Sequence, residues 1–212
     1  MSLAPHKTHV PDVAIVDDDS AVRDGIALLL RTVGVPSRQF CDAGALFDAI
    51  AASPGIGCVL LDIRMPGMNG LDALERLGKP ADVPVIVLTG HGSIDTCRQA
   101  FKRGAIDFLR KPVDDHELIA TVQQALRTHL ALRDLERARQ HRRAGLASLS
   151  GREREVLDWI VKGASNKEIA RVLGLSPRTV ETYRATLFDK LDVTSLVALV
   201  RDFAPLLPRG SP

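Results

Sequence analysis

The sequence is poor in the features that mark secreted, metal-scaffolded and membrane-spanning proteins. It has only three cysteines, Cys41, Cys58 and Cys97. Their number is odd and their spacing suits no metal, which excludes a disulfide or zinc scaffold and leaves reduced packing residues as the expectation. No run of about 18 apolar residues occurs, and the first 11 residues lack the apolar stretch of a secretory signal, so no membrane partner and a cytoplasmic protein are expected. A net charge of +2 over 212 residues gives no strong pull toward nucleic acid. That total hides an asymmetry. Residues 1–127 hold 13 Lys and Arg against 16 Asp and Glu, net −3, whereas residues 128–212 hold 15 against 10, net +5. An acidic front and a basic back imply two parts with different partners.

From Val13 onward, short β-rich runs alternate with stretches at helical spacing. Strands are predicted at Val13–Val16, Arg38–Phe40, Cys58–Leu61, Val85–Leu88 and Phe108–Arg110. Helices are predicted at Ala21–Thr32, Ala43–Ala52, Leu71–Leu77 and Ile94–Lys102, with a fifth starting near Asp115. Five βα units in about 115 residues predict an α/β domain with a parallel sheet covered on both faces. Pro54-Gly55, Gly78-Lys79-Pro80 and Gly90-His91-Gly92 read as connecting loops, with His91 an exposed loop residue. The fifth helix has no stop signal before Gly145; residues 134–147 are read as a charged, largely helical linker, with solvated coil as the alternative.

After Leu149 no strand candidate remains. Ser150-Gly151-Arg152-Glu153 and Ser165-Asn166-Lys167-Glu168 match the capping box, Ser176-Pro177 pairs an N-cap with proline at the first helical position, and Thr194 can cap a last helix through about Phe203. Four short helices make a second, all-α domain.

In an open parallel sheet, chemistry gathers outside the carboxyl ends of the strands. There the sequence places Asp17-Asp18-Asp19, Asp62, Thr89 and Lys111. Three converging carboxylates require a compensating charge, and an oxygen-only donor set suits Mg²⁺. An ionised Asp62 can attack a phosphoryl donor without a separate base, while Lys111 and the Thr89 hydroxyl neutralise and orient the transferred oxygens. Taken alone, Asp17–Asp19 suit a helix N-terminus equally well, Asp62 a turn, and Lys111 a solvated surface. It is the four motifs on four strands, in order, that carry the reading.

In the basic half, residues 166–191 fit a DNA-reading helix-turn-helix. Ile169, Ala170, Val172 and Leu173 give the scaffold helix an apolar face, Gly174 can end it in the left-handed conformation, and Leu175 can enter the core. Val180, Leu187, Phe188 and Leu191 form the buried stripe of the second helix. Arg178, Glu181, Thr182, Ala185 and Asp189 are left outside. Arg178 suits a phosphate, and Glu181 and Thr182 stand where base edges would be reached. Lys167, Tyr183, Arg184 and Lys190 can position the DNA backbone, and Thr179 and Ala185 complete the candidate contact set.

These segments resemble known families. Ile15-Val16-Asp17-Asp18-Asp19, Leu61-Asp62 through Asn69-Gly70, Leu88-Thr89-Gly90 and Leu109-Arg110-Lys111-Pro112 are similar to the successive motifs of response-regulator receiver domains. Arg152 to Leu157, Gly163, Asn166 to Ala170 and Ser176 to Glu181 are similar to the LuxR-type helix-turn-helix. Together they resemble the NarL/FixJ class, with Thr89-Gly90-His91-Gly92 nearest the FixJ pattern. Two departures stand out: Ser150-Gly151 where a threonine-proline pair is usual, and Glu181-Thr182 on the reading face.

The resemblance implies a flavodoxin-like receiver at residues 11–127, a linker at 128–147 and the DNA-binding domain at 148–208. It implies Asp62 as phosphoacceptor, with Mg²⁺ held by Asp18, Asp62 and the Arg64 carbonyl directly and by Asp17 through water. It also implies a cis Lys111–Pro112 bond, Phe108 as a switch coupled to Thr89, and dimerisation through Ile94, Arg98 and Lys102. Glu155 and Leu157 would be framework residues and the last helix would dimerise the DNA-binding domain. The implied partners are a sensor histidine kinase, promoter DNA, RNA polymerase and a second copy of the chain. Two other readings are an aspartyl-phosphate phosphatase, which usually has an acidic residue where Arg64 stands, and a DNA-binding protein with an inert receiver.

Overall fold

Strand alternation organises the first part of the chain. Val13, Ile15, Cys58, Leu60, Ile86 and Leu88 face one layer of helices, and Ala14, Val16, Val59, Leu61, Val85 and Val87 face the other. Burial on both faces is what near-continuous apolar strands require of a parallel sheet. The structure, a computed structural model, describes residues 10–52, 55–78, 83–90 and 93–207. Pro54, Lys79, Pro80, His91, Gly92 and the proposed domain end at Pro208 lie outside the described residues, so the loop readings there, His91 included, are not addressed.

The strands are β1 (Asp12–Val16), β2 (Ser37–Phe40), β3 (Ile56–Asp62), β4 (Val85–Thr89) and β5 (Asp107–Arg110), all parallel in the order β2-β1-β3-β4-β5. Between them lie α1 (Ser20–Thr32), α2 (Ala43–Ala52), α3 (Gly70–Leu77) and α4 (Ile94–Lys102). Ile26 and Leu30 of α1 and Leu118 and Val122 of α5 (Asp115–Ala147) cover one face; Leu46 of α2, Leu71 and Leu74 of α3 and Ala100 of α4 cover the other. Strand order reverses between β1 and β3, which opens a crevice at their carboxyl ends.

The chain divides into two compact units after Arg133, inside the segment read as linker. Helix α5 is continuous through that point, so the helical reading of residues 134–147 holds against the coil alternative. In the second unit, α6 (Gly151–Val161), α7 (Asn166–Leu173), α8 (Pro177–Lys190) and α9 (Leu196–Phe203) enclose a core of Val156, Leu157, Ile169, Val180, Leu187 and Phe203, among others. Leu146 at the end of α5 packs against the same core. Both expected capping boxes form: Ser150 with Glu153, and Ser165 with Glu168.

Four expectations need correction. The last helix is capped by Ser195, whose hydroxyl accepts from the Ala198 N–H at 3.1 Å, rather than by Thr194. Val172 is half-exposed, because it lies about 100° round α7 from the face formed by Ile169, Ala170 and Leu173. Glu155 is exposed and pairs with Arg152; Glu153 is the buried acidic residue of α6. Of the cysteines, Cys58 is the packed one, its thiol pushed up to about 12 by burial, whereas Cys41 is exposed beside Asp42.

Candidate functional site

At the carboxyl edge of the sheet, β1 releases the chain at Val16 and α1 begins at Ser20, so Asp17–Asp19 form a three-residue bridge with three different fates. Asp17 is 1% exposed; its Oδ1 accepts from the Asp19 N–H at 3.0 Å. Asp19 caps α1 by accepting from the Ala21 N–H at 2.8 Å, so for this one residue the helix-cap reading is the structural role. Asp18 is exposed at the mouth of the crevice. Asp62, 5% exposed, ends β3, and Thr89, 1% exposed, ends β4. Lys111 directly follows β5 and precedes a cis bond to Pro112; its N–H donates to the Thr89 carbonyl at 2.8 Å.

The sheet thus brings Asp17, Asp18, Asp62, Thr89 and Lys111 to one edge. Lys111 Nζ donates to Asp17 Oδ2 and lies 3.2 Å from Asp62 Oδ1. Burial raises the Asp62 carboxyl above its ordinary range; Lys111 pulls it down, while Asp17 and Asp18 push it up. For Lys111, burial works against the charge, but the hydrogen bond to Asp17 and the attraction of Asp62 outweigh it and hold its pKa above the usual value. One ammonium therefore faces three carboxylates. Oxygen atoms of Asp17, Asp18 and Asp62 lie within 4.8 Å of one another, an all-oxygen set of the kind that holds a hard divalent cation. Such a site can ionise Asp62 as a nucleophile and stabilise charge on a group transferred to it.

Arg64 is exposed in the loop after β3, two residues beyond Asp62. Phe108 is half-buried in β5 against the core that includes Ala100 and Ala105. On α4, Arg98 and Lys102 are exposed and Ile94 is 80% exposed. Phe101 in α4 and Ile106 just before β5 are also exposed; their residue types alone do not announce it, because large apolar side chains read as core. A second omission is Arg23, whose Nη1 donates to the Asp17 carbonyl at 2.6 Å. Its only sequence signal is its place in the first turns of the helix that Asp19 caps.

In the second unit, α7 ends at Gly174 in the left-handed conformation (φ 67°, ψ 34°), Leu175 turns into the core, and Ser176 caps α8. Arg178, Glu181, Thr182 and Ala185 are exposed along α8, as is Lys167 on α7. The Thr182 hydroxyl donates to the Arg178 carbonyl at 3.1 Å, which leaves its acceptor capacity and its methyl for a ligand. Thr179 is half-buried with its hydroxyl 2.8 Å from that of Ser176. Tyr183 is half-buried against the core and Arg184 is half-buried as well. Lys190 is turned back to Glu153, Nζ to Oε2 at 2.8 Å, so much of its charge is committed inside the unit.

Comparison with known proteins agrees with this geometry. A family model described as the response regulator receiver domain matches residues 13–123, and one for bacterial regulatory proteins of the luxR family matches residues 147–203. The transcriptional regulatory protein FixJ of Bradyrhizobium diazoefficiens is 41% identical over 192 residues, which cover 89% of this chain and 92% of that protein. FixJ of Azorhizobium caulinodans is 44% identical over 190 residues, covering 89% and 90%. The solved structure of the response regulator StyR matches with a TM-score of 0.82 at 36% identity, covering 92% of this chain and 98% of that one. Full-length FixJ from B. japonicum matches with a TM-score of 0.56 at 39% identity, covering 95% and 100%. Two family models in tandem, together with relatives similar along nearly their whole length, place the chain in the NarL/FixJ type of two-component response regulators, transcriptional regulators with a receiver domain and a LuxR-family DNA-binding domain.

Proposed function

We propose that Asp62 accepts a phosphoryl group from a sensor histidine kinase and that this modification controls dimerisation and promoter binding. The observation that carries the reading is the placement of Lys111 Nζ on both Asp17 and Asp62, with Asp18 completing the acidic cluster. An Asp62 oxygen forms the new P–O bond as the donor's bond to phosphorus breaks. Lys111 and the Thr89 hydroxyl then face the transferred oxygens. Mg²⁺, held by Asp18, Asp62 and the Arg64 carbonyl, and by Asp17 through water, would supply charge neutralisation at the phosphoryl group. Phe108 is the switch residue that repacks when Thr89 is drawn toward the phosphate.

The output follows from exposed surfaces. Ile94, Arg98 and Lys102 on α4 form the face through which two phosphorylated copies pair, and α8 presents Arg178, Glu181, Thr182 and Ala185 to the major groove of double-stranded promoter DNA. Lys167, Thr179, Tyr183, Arg184 and Lys190 support that contact, the last through its partly exposed side chain. The functional parts are the receiver at residues 11–127, the linker at 128–147 and the DNA-binding domain at 148–208. The work is done in the cytoplasm, with RNA polymerase as the final partner; among the described residues no helix is long and apolar enough to cross a membrane. Self-phosphorylation from a small phosphodonor and slow loss of the phosphate are the only chemistry assigned.

The test is Phos-tag electrophoresis with acetyl phosphate and Mg²⁺, followed by a promoter footprint. Wild type should shift and gain protection; Asp62→Asn should do neither. Equal footprints with and without phosphodonor would sink the proposal, and repeated turnover of an external phosphoester would favour a phosphatase.

A further inference from the structure

We infer that Arg23 is a positioning residue for the acidic cluster: by fixing the peptide between Asp17 and Asp18, it sets how tightly the cluster holds a divalent cation. The inference rests on the reading of Asp17, Asp18 and Asp62 as a cation and phosphoryl-acceptor site, and assigns that site a further residue.

Arg23 grips both ends of the three-residue bridge between β1 and α1. Its backbone N–H donates to the Asp19 carbonyl at 3.1 Å, and its guanidinium donates to the Asp17 carbonyl at 2.6 Å. The Asp17 carbonyl belongs to the peptide that leads into Asp18. Asp17 is already held at its side chain by the Asp19 N–H and by Lys111, and Asp19 is held as the helix cap. Asp18 is the exposed member of the cluster, so the aim of its carboxylate depends on the plane of the peptide before it. A charge-assisted bond from a rigid, planar donor fixes that plane more firmly than a neutral one.

The chemistry of the contact points the same way. Lys111 compensates the cluster by sitting on carboxylate oxygens, which are the atoms a cation needs. Arg23 adds a second positive charge nearby while bonding only to a backbone carbonyl, so every carboxylate oxygen it serves stays available. Residues that orient ligands without touching the ion typically change affinity substantially when removed.

The test uses the full chain. Calorimetric titration of the unphosphorylated protein with Mg²⁺ is run on wild type, Arg23→Gln and Asp18→Asn, beside thermal unfolding and the Mg²⁺ dependence of labelling by acetyl phosphate. Arg23→Gln should weaken Mg²⁺ binding about tenfold, raise the Mg²⁺ needed for half-maximal labelling by the same factor, and leave the rate at saturating Mg²⁺ and the unfolding temperature near wild type. Wild-type Mg²⁺ affinity in Arg23→Gln overturns the inference, as does a loss of affinity matched by loss of folded protein. If Asp18→Asn binds Mg²⁺ as tightly as wild type, the underlying reading of the cluster fails instead, whatever Arg23 does.

Discussion

Gly70 stands against the backbone of Asp62 so closely that a Cβ at position 70 would lie 2.1 Å from the Asp62 carbonyl oxygen and 2.7 Å from Ile63 Cα. The Gly70 N–H also donates to the Ile63 carbonyl at 2.9 Å, which pins the start of α3 to the end of β3. Neither neighbour is a flexible side-chain tip, so any substituent must move the strand end that carries Asp62, the proposed phosphoacceptor. Gly70→Ala should therefore destabilise the first unit by about 2 kcal/mol and slow acetyl-phosphate labelling by about 10- to 100-fold. Urea unfolding followed by circular dichroism and a Phos-tag time course measure the two effects; labelling at the wild-type rate would show that the close approach has no bearing on Asp62.

Glu153 and Lys190 form the corresponding fixed pair in the second unit. The hydrogen bond from Lys190, followed by that from the Ser150 N–H, lowers the Glu153 carboxyl from 4.5 to about 2. Because the folded-state value is depressed, its stabilising contribution is complete above about pH 4.5 and is lost as pH falls through about 2. With Lys190 partly exposed, screening limits the pair to about 1 kcal/mol. Glu153→Gln keeps a residue that can serve the capping box, and should lower the unfolding temperature of this unit by about 4–8 °C at pH 7. At pH 2 the gap between the two proteins should be much smaller, because Glu153 is then about half protonated in the folded state. Trp159, the chain's one tryptophan, lies in α6 and reports this unit by its fluorescence. A difference that is the same at pH 7 and pH 2 would assign the effect to something other than the ionised pair.

Along α8, Arg178 and Glu181 should separate two kinds of DNA contact. Arg178→Gln should weaken binding to a random-sequence duplex and reduce the slope of log affinity against log salt by about 1, as expected for a lost phosphate contact. Glu181→Ala should leave that slope intact and change which sequences are recovered from a randomised pool. Fluorescence anisotropy over a salt series and sequencing of the selected pool provide the readouts. An unchanged slope in Arg178→Gln would move that residue off the DNA backbone.

Short β-rich apolar runs set between helix-spaced stretches made the five strands legible from sequence, and α2 and α4 run between the residues expected. Strand ends were less legible. β3 begins at Ile56, and its expected start at Cys58 falls two residues late because Gly57 has no β-forming side chain; a Cβ there would stand 2.5 Å from that of Pro11. Asp107 likewise opens β5 although aspartate is a poor strand former. The site was readable because its residues terminate strands whose order fixes where they meet. The pairing of Glu153 with Lys190 was not, since 37 residues separate them and only the folded core brings α6 and α8 together. Thr194 and Ser195 are both good caps, and only the backbone path chooses between them.

The end of α5 has a practical bearing on dissection of the protein. Arg154 Nη2 donates to the Leu146 carbonyl at 2.7 Å, and a Cβ at Gly145 would come within 3.2 Å of Leu191. A recombinant fragment trimmed to residue 148 discards the Leu146 side chain and strips a guanidinium of its acceptor. The smallest autonomous DNA reader is consequently longer than its four helices, and limited proteolysis should release a stable piece that retains the final turns of α5.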